Sequence, residues 1–210
     1  MPEPAAPSDK PGPLFPPPPS FATLRLPLLH TDRSWQRIHA CGHGALYFGR
    51  SGETRFRAPN GEYGILYVGS DIHCSFVETF GRLGSDVGID IRAVSMAALM
   101  TRCVSEISVA RPLRLVDLTG PGLRRIGADA RLCAGDHQIA RTWAQAIWAH
   151  PDQPDGLLYP ARHDPSRHSA ALFDRAAGAV QAGTPRRLID LDPSLLGNIL
   201  DTYGLSLIAG

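Results

Sequence analysis

Short apolar runs separated by polar and glycine-rich stretches recur along most of the chain. The clearest covers residues 65–68, which are wholly apolar between two glycines and are typical of a central strand buried on both faces. Further strands are predicted where similar or alternating runs lie between turn residues, at 22–27, 35–39, 45–48, 104–109, 113–118, 156–159, 170–173, 188–191 and 205–208. The pattern therefore predicts a protein built from many short strands.

The segment that follows the central strand predicts a helix over residues 72–80. Ser70 or Asp71 offers a side-chain oxygen for the free backbone N–H groups at the helix N-terminus. Gly81 and Gly84 are suited to ending the same helix.

Other helices are predicted at residues 96–102, at 137–150 behind the N-cap residue Asp136, and after Asp192-Pro193. The strands and helices show no regular strand–helix–strand alternation. This arrangement favours an α+β fold over a parallel α/β fold.

Proline is concentrated at the N-terminus, where residues 1–20 hold nine of the 19 prolines. Proline removes backbone donors and fixes φ, so this segment is predicted to be a polyproline II or disordered arm. It is interpreted as a solvated tail, and a docking segment for a partner is the alternative. The folded domain is predicted over residues 21–210.

Composition fits one globular domain, with 210 residues of which 43% are hydrophobic. The 21 Lys and Arg residues nearly balance the 20 Asp and Glu residues, which argues against direct nucleic-acid binding. No apolar run approaches the roughly 20 residues of a membrane span, and no signal-peptide pattern opens the chain. We therefore expect no membrane association and a cytoplasmic location.

The four cysteines, Cys41, Cys74, Cys103 and Cys133, never form a close pair. Zinc and redox motifs place two cysteines within a few residues, so neither motif is predicted. Cys74 and Cys103 lie among apolar neighbours and are interpreted as small buried hydrophobic residues, which favours a reducing compartment. The eight histidines show no metal-ligand spacing, so no metal site is predicted.

Three residues around the central strand have chemistry suited to a binding cleft. Arg55 lies in a basic loop, and a guanidinium can hold phosphate oxygens through two parallel hydrogen bonds. Tyr67 can stack on a flat ring with its hydroxyl free, and Glu78 follows apolar helix residues, so its carboxylate can point inward. An exposed loop charge, a packing tyrosine and a surface glutamate are the alternatives at these positions.

The same residues resemble the RES domain, a family named for its Arg, Glu and Ser. Arg55-Phe56 is followed by Tyr67 and, eleven residues later, by Glu78. The resemblance continues through four further segments, at 113–120, 155–160, 162–164 and 171–174. It implies an ADP-ribosyltransferase-like fold, with a partly split mixed or antiparallel sheet flanked by helices.

The resemblance also implies a function. RES proteins are bacterial toxins that consume NAD by hydrolysis, by phosphorolysis or by transfer of ADP-ribose to a protein. They are usually neutralised by a helical, Xre-type antitoxin with a DNA-binding region, so a homo- or hetero-oligomer is expected. NAD would be the substrate, with inorganic phosphate as a possible co-substrate and no resident cofactor.

Carried over residue by residue, the resemblance places the catalytic group at Arg55, Tyr67 and Glu78. It places the NAD-binding group at Arg37, Arg55, Tyr67 and Arg162. Nicotinamide leaves a cationic substrate as a neutral molecule, so no acid is needed, and one carboxylate can stabilise the sugar cation.

One family position does not match. Where RES domains read Tyr-x-Ser-Arg, this chain has Tyr159-Pro160-Ala161-Arg162, and alanine offers no hydroxyl. Ser166 and Ser169 lie nearby in the sequence. NAD cleavage is the primary hypothesis, protein ADP-ribosylation is the second, and a binding module that has lost turnover is the third.

Overall fold

A nine-stranded sheet forms the centre of the structure, a computed structural model that describes residues 14–81 and 92–209. The strands of this sheet are β1 (Leu28–Thr31), β2 (Trp35–Ala40), β3 (Ile65–Gly69), β5 (Arg102–Val109), β6 (Leu113–Asp117), β7 (Gly156–Pro160), β8 (His168–Phe173), β9 (Val180–Ala182) and β10 (Arg186–Arg187). A second, two-stranded sheet pairs β4 (Ala93–Ser95) with β11 (Ser206–Ile208) in parallel.

The large sheet is mixed, as predicted. Its order is β1-β6-β7-β8-β3-β2-β5-β10, with β9 beside β5, and every neighbouring pair is antiparallel except β6 and β7. Strands β2 and β3 are joined through a single residue pair, Gln36 and Gly69. The sheet is therefore partly split between β2 and β3, where the two strands diverge.

Six helices pack around this sheet in the described residues: α1 (Ile72–Phe80), α2 (Met96–Met100), α3 (Pro121–Arg125), α4 (Arg131–Ala134), α5 (His137–Trp148) and α6 (Pro193–Tyr203). The predicted N-caps are confirmed for the longer helices, because Asp71, Asp136 and Asp192 each accept a backbone N–H of the first turn. Gly81 follows α1 as predicted, and Gly84 lies outside the described residues. The α+β architecture is confirmed.

Helix α5 covers one face of the sheet through a stripe of apolar residues. Trp143 and Ile147 are buried among residues of β6, β7 and β8, and Phe21 meets the Trp143 ring edge to face at 5.4 Å. Helices α1 and α6 contribute to a second apolar cluster around Phe76 and Ile199. Both clusters fix the helices that border the split in the sheet.

Three strand predictions are wrong. Residues 22–27 contain a 3₁₀ turn over Phe21–Thr23, and the strand begins only at Leu28. Residues 45–48 form a loop, because only Gly49 makes an isolated bridge to the sheet. Residues 188–191 form a 3₁₀ turn, since Leu188 and Leu191 are three apart and both buried, a spacing that fits a turn rather than a strand.

The proline-rich arm reaches the domain at its C-terminal end. Leu14 packs against the main core, and the Trp143 indole N–H donates to the carbonyl of Phe15 at 2.9 Å. Residues 14–20, which the sequence assigns to the arm, thus include a segment held on α5.

A disulfide joins Cys41 to Cys103, 62 residues apart. The register of β2 on β5 pairs His39 with Cys103, which brings Cys41 next to it at the strand end. Cys103 is buried, as the sequence predicted, but it is bonded to Cys41 and is not simply a small hydrophobic side chain. The disulfide also removes the cysteine argument for a reducing compartment, because disulfides persist in oxidising ones. Cys74 and Cys133 are free and buried.

The described ranges contain neither a membrane-spanning helix nor a metal-binding group of side chains. The longest helix there, α5, has 12 residues, and no helix among them has the length and apolar character to cross a bilayer. No group of three His, Cys, Asp or Glu residues within the same ranges is arranged to hold a metal ion.

Candidate active site

The split between β2 and β3 opens into a cavity of about 270 Å³. Gln36, Arg37 and Ile38 of β2 line one side, and Tyr67, Val68 and Gly69 of β3 line another. The cavity therefore lies where the sheet loses its backbone pairing, and helix α1 closes it from the side.

Gly69 allows α1 to approach the sheet closely. A Cβ atom at this position would lie 2.6 Å from Ser75 Oγ, so a larger residue would push the helix away. The Ser75 hydroxyl donates to the Gln36 carbonyl at 2.8 Å, which ties α1 to β2 at the split. Glu78, one turn further along α1, is thereby placed on the cavity wall.

The carboxylate of Glu78 is half-buried and anchored by backbone. The N–H of His163 donates to its Oε1 at 3.0 Å, and in the part of the chain that the structure describes this is its one hydrogen bond. Gly81 makes room for the His163 ring, because a Cβ there would lie 2.8 Å from the ring. Glu78 keeps its second oxygen available on the cavity side.

The Arg55 loop is held by residues around α4 and α5. The Arg55 guanidinium is buried, at 8% exposed, and donates through Nη1 to the Gly135 carbonyl at 2.7 Å. The buried Arg141 of α5 holds the preceding loop, donating to the Thr54 carbonyl and to the Glu53 carboxylate. Arg55 also lines the cavity.

Tyr67 contacts the same loop through its hydroxyl. The phenol oxygen accepts the Phe56 N–H at 2.9 Å, whereas the sequence had suggested a free hydroxyl. The hydroxyl proton remains available to donate. Burial raises the pKa of Tyr67, and the hydrogen bond from the Phe56 N–H and the charge of Arg55 oppose that rise. The phenol is therefore neutral at physiological pH.

Arg37 faces the cavity from β2. Its Nη1 donates to the carbonyl of Ala45, in the loop that the Cys41–Cys103 disulfide closes. Burial lowers the pKa of Arg37 to about 10, so the guanidinium keeps its charge at neutral pH.

Arg162 is exposed at the cavity edge. Burial is the main cause of a lowered pKa at Arg55, and the charge of Arg162 lowers it further, which places the two guanidiniums near each other. Arg37, Arg55 and Arg162 thus share one cavity with the carboxylate of Glu78. An anionic ligand would relieve the repulsion between the cations.

The structure brings all five predicted residues, Arg37, Arg55, Tyr67, Glu78 and Arg162, onto the walls of one cavity. Sequence reasoning gave no site role to several other polar wall residues, namely Gln36, Thr54, Ser75, Thr79, Cys133 and Tyr159, and it noted Ser169 only as a neighbour of Ala161 in the sequence. Ser75 lies three residues before Glu78, so helical periodicity could have found it. Tyr159 and Ser169 pair across β7 and β8, a register that the sequence does not specify.

Ala161 has no place on the cavity wall among the described residues. It is 1% exposed, and its N–H donates to the Arg167 carbonyl at 2.9 Å. The departure from Tyr-x-Ser-Arg therefore lies just behind the cavity.

Comparisons with known proteins agree with this architecture. The chain is 30% identical over 117 residues to the probable toxin y4kH of Sinorhizobium fredii (strain NBRC 101917 / NGR234), an alignment that covers 55% of this chain and 90% of that protein. A chain in the crystal structure of the M. tuberculosis MbcT–MbcA toxin–antitoxin complex has the same fold. The TM-score is 0.63 at 18% identity, over 82% of this chain and 91% of that chain.

The match to a family model extends across most of the folded chain. Residues 31–192 match the RES domain, a range that includes all five predicted site residues and both strands that diverge at the cavity. The chain therefore belongs to the RES-domain family.

Proposed function

We propose that this protein cleaves NAD at the bond between nicotinamide and ribose. The observation that carries the proposal is the grouping of three guanidiniums, two phenols and one carboxylate around a single cavity. Membership of the RES-domain family supports it.

The arginines suit the phosphates of the substrate. Arg55 is fixed by Gly135 and Arg37 by Ala45, so both guanidiniums are already oriented before a ligand arrives. A pyrophosphate accepts charge-assisted hydrogen bonds from such groups. The cavity volume of about 270 Å³ is near the lower limit for small-molecule sites, which suits the nicotinamide riboside half of NAD.

Glu78 suits the reacting sugar. As the bond from ribose C1 to the nicotinamide nitrogen breaks, its electron pair goes to the ring, which leaves as a neutral molecule. Positive charge grows on the sugar, and the fixed carboxylate of Glu78 stabilises it electrostatically. Water then adds to C1 and loses a proton to give ADP-ribose, or phosphate adds to give ADP-ribose phosphate.

Tyr67 would orient the substrate. Its ring forms part of the cavity wall on β3, and its hydroxyl can donate one hydrogen bond while it accepts the Phe56 N–H. This geometry suits a contact with the nicotinamide ribose.

The test is to incubate the purified protein with NAD, with and without inorganic phosphate, and to identify the products by chromatography and mass spectrometry. Hydrolysis predicts nicotinamide and ADP-ribose in both samples, whereas phosphorolysis predicts nicotinamide and ADP-ribose phosphate only in the sample that contains phosphate. A parallel sample with labelled NAD and cell extract reports transfer to macromolecules. Label on protein with neither free ADP-ribose nor ADP-ribose phosphate would contradict hydrolysis and phosphorolysis together.

We further propose that the protein acts as a toxin that a partner protein neutralises. The names of the similar proteins, a probable toxin and a toxin–antitoxin complex, support this role. Inducible expression of the chain alone in a bacterial host should lower cellular NAD and stop growth, and the Glu78→Gln variant should do neither. Growth arrest by the Glu78→Gln variant would separate toxicity from NAD loss and overturn the proposal.

A further inference from the structure

Ser169 presents a hydroxyl to the cavity from strand β8. The residue is 4% exposed and lies between Gly69 of β3 and Tyr159 of β7, its partners in the two neighbouring ladders. Residues directly opposite in antiparallel strands share one face of the sheet. Ser169 therefore belongs to the same wall as Tyr67, two residues before Gly69 on that face.

The hydroxyl of Ser169 has only a weak hydrogen-bond partner among the described residues. Its partner is the Sγ of Cys74, at 3.4 Å, and a thiol is a weak donor and a weak acceptor. Two other hydroxyls on the cavity wall already donate to backbone carbonyls, since Ser75 donates to the Gln36 carbonyl at 2.8 Å and Thr79 to the Ser75 carbonyl at 2.7 Å. A buried hydroxyl normally has a strong partner, so Ser169 is the serine best placed to gain one from a ligand.

Cys74 connects this hydroxyl to the carboxylate. It precedes Glu78 by four residues on α1, so both side chains lie on one helix face. Burial is the main cause of a raised pKa at Cys74, and the nearby charge of Glu78 raises it further. A group bound near Glu78 is thus within the neighbourhood of the Ser169 hydroxyl.

We propose that Ser169 binds the nicotinamide ribose of NAD by a hydrogen bond from its hydroxyl to a ribose hydroxyl. The inference rests on the proposed NAD cleavage and assigns a substrate contact to a residue outside the Arg55, Tyr67 and Glu78 group.

Ser169 also lies near Ala161 in the sheet. Pro160 pairs with His168 and Tyr159 with Ser169, so Ala161 and Ser169 are diagonal neighbours on one sheet face. Diagonal neighbours are about 7–8 Å apart, and of these two residues only Ser169 lines the cavity. Ser169 therefore offers a hydroxyl on the face where Ala161 has none.

Ser166 is the matched control. Its hydroxyl donates to the Asp164 carboxylate at 2.5 Å, and the residue is exposed and lies outside the cavity wall. Ser166 lies close to Ala161 in the sequence but outside the cavity wall. Its removal should therefore leave NAD kinetics unchanged.

The experiment compares Ser169→Ala, Ser166→Ala and Ser169→Thr, which keeps the hydroxyl, by steady-state NAD cleavage. One lost hydrogen bond of about 1 kcal/mol predicts a KM about fivefold higher for Ser169→Ala, with kcat within about twofold of wild type. A KM for Ser169→Thr close to that of wild type would identify the hydroxyl as the cause, and a KM as high as that of Ser169→Ala would contradict it. Circular dichroism and the melting temperature check that each variant is folded.

Binding of ADP-ribose by calorimetry is the second readout, and we expect the same fivefold loss for Ser169→Ala. If the wild-type enzyme is active and Ser169→Ala has the same KM and the same ADP-ribose affinity as wild type, the role of Ser169 is overturned while the proposed function stands. Wild-type protein that neither cleaves NAD nor binds ADP-ribose would instead overturn the proposed function, and this inference with it.

Discussion

The hydroxyl of Tyr67 accepts the backbone N–H of Phe56 at 2.9 Å, and so fastens the central strand to the loop that carries Arg55. On the other side of the same residue, the Tyr63 hydroxyl donates to the Phe56 carbonyl at 2.9 Å. Phe56 itself is fully buried. Two tyrosines thus hold the backbone N–H and C=O of Phe56, the residue next to Arg55. Of the two tyrosines, only Tyr67 also lines the cavity.

Tyr67→Phe and Tyr63→Phe form a matched pair. Each leaves one buried backbone group of Phe56 without its partner, which should lower the free energy of unfolding by about 1–3 kcal/mol. Both should raise the KM for NAD, and Tyr67→Phe should raise it more because it also removes a substrate contact. Denaturant unfolding and steady-state kinetics measure the two effects, and equal Michaelis constants would remove the ligand role of Tyr67.

Arg55→Ala should raise the KM for NAD above the value for Tyr67→Phe. The arginine carries the charge that phosphate requires, whereas the tyrosine supplies one neutral hydrogen bond. A KM in Arg55→Ala no higher than in Tyr67→Phe would contradict the phosphate role.

Glu78→Gln isolates the charge of the carboxylate from its anchor. The amide oxygen of glutamine can still accept the His163 N–H, so the loop after β7 should stay in place. We expect kcat to fall by at least about 10²-fold, since a fixed group no longer stabilises the sugar cation. Glu78→Ala should be equally inactive and less stable. NAD loss at the wild-type rate in a folded Glu78→Gln protein would sink the assignment.

Anions should stabilise the protein through the buried arginines. Burial lowers the pKa of Arg37 to about 10 and also lowers that of Arg55, so both charges gain from a bound phosphate. ADP-ribose should raise the melting temperature more than chloride at equal ionic strength. Loss of either guanidinium in Arg37→Gln or Arg55→Gln should weaken ADP-ribose binding by about tenfold or more, and the exposed Arg124→Gln should not.

Signals that lie within a few residues were readable from the sequence. Asp71, the apolar run of α1 and Gly81 specify that helix locally, and the apolar neighbours of Glu78 indicated its inward direction. The loop at residues 45–48 has an equally apolar sequence, yet it lacks a partner strand along most of its length, and only tertiary pairing decides this. Local pattern therefore predicts an element well where its stabilising contacts are local.

The cavity itself depends on contacts between distant residues. The anchor of Glu78 is the N–H of His163, 85 residues away, and the partner of Arg55 is the carbonyl of Gly135. Ser169 reaches the wall through the register of β8 on β3 and β7. The residue types at the site were predictable from family motifs, whereas the groups that hold them follow from strand register.

Asp155 should make stability depend on pH in the acid range. Burial alone would raise its pKa, but two hydrogen bonds from Arg111 and one from the Arg114 N–H hold the pKa below the ordinary value of 3.8. Because the folded pKa is the lower one, the stabilisation is present above the unfolded pKa and is lost as pH falls through the folded pKa.

Asp155→Asn tests this dependence. Above about pH 4 we expect the variant to unfold about 1–2 kcal/mol more easily than wild type, a modest loss because Arg111 is half exposed. The difference should shrink as pH falls toward 2 to 3, where the wild-type carboxylate also becomes neutral. Denaturant unfolding from pH 2.5 to 6 measures it, and a constant difference across that range would contradict the assignment.

The Cys41–Cys103 disulfide should stabilise both the fold and the site. It closes a loop of 62 residues, and removing such a crosslink typically costs about 2–4 kcal/mol. Cys74 and Cys133 are buried, and burial raises the pKa of the Cys133 thiol to about 12, so neither should react readily with iodoacetamide. Labelling before and after mild reduction should therefore add Cys41 and Cys103 alone.

Reduction of the disulfide should also disturb the position of the Arg37 guanidinium. The loop after Cys41 supplies the Ala45 carbonyl that accepts from the Arg37 guanidinium, and Cys103 holds that loop on β5. Dithiothreitol should therefore lower the melting temperature and raise the KM for NAD, and the Cys41→Ser/Cys103→Ser variant should show both effects without responding to the reductant. If the loop moves on reduction, the Arg37 guanidinium loses its backbone acceptor and the KM for NAD should rise. A reduced wild-type protein with a lower melting temperature but an unchanged KM would therefore show that the disulfide stabilises the fold without positioning Arg37.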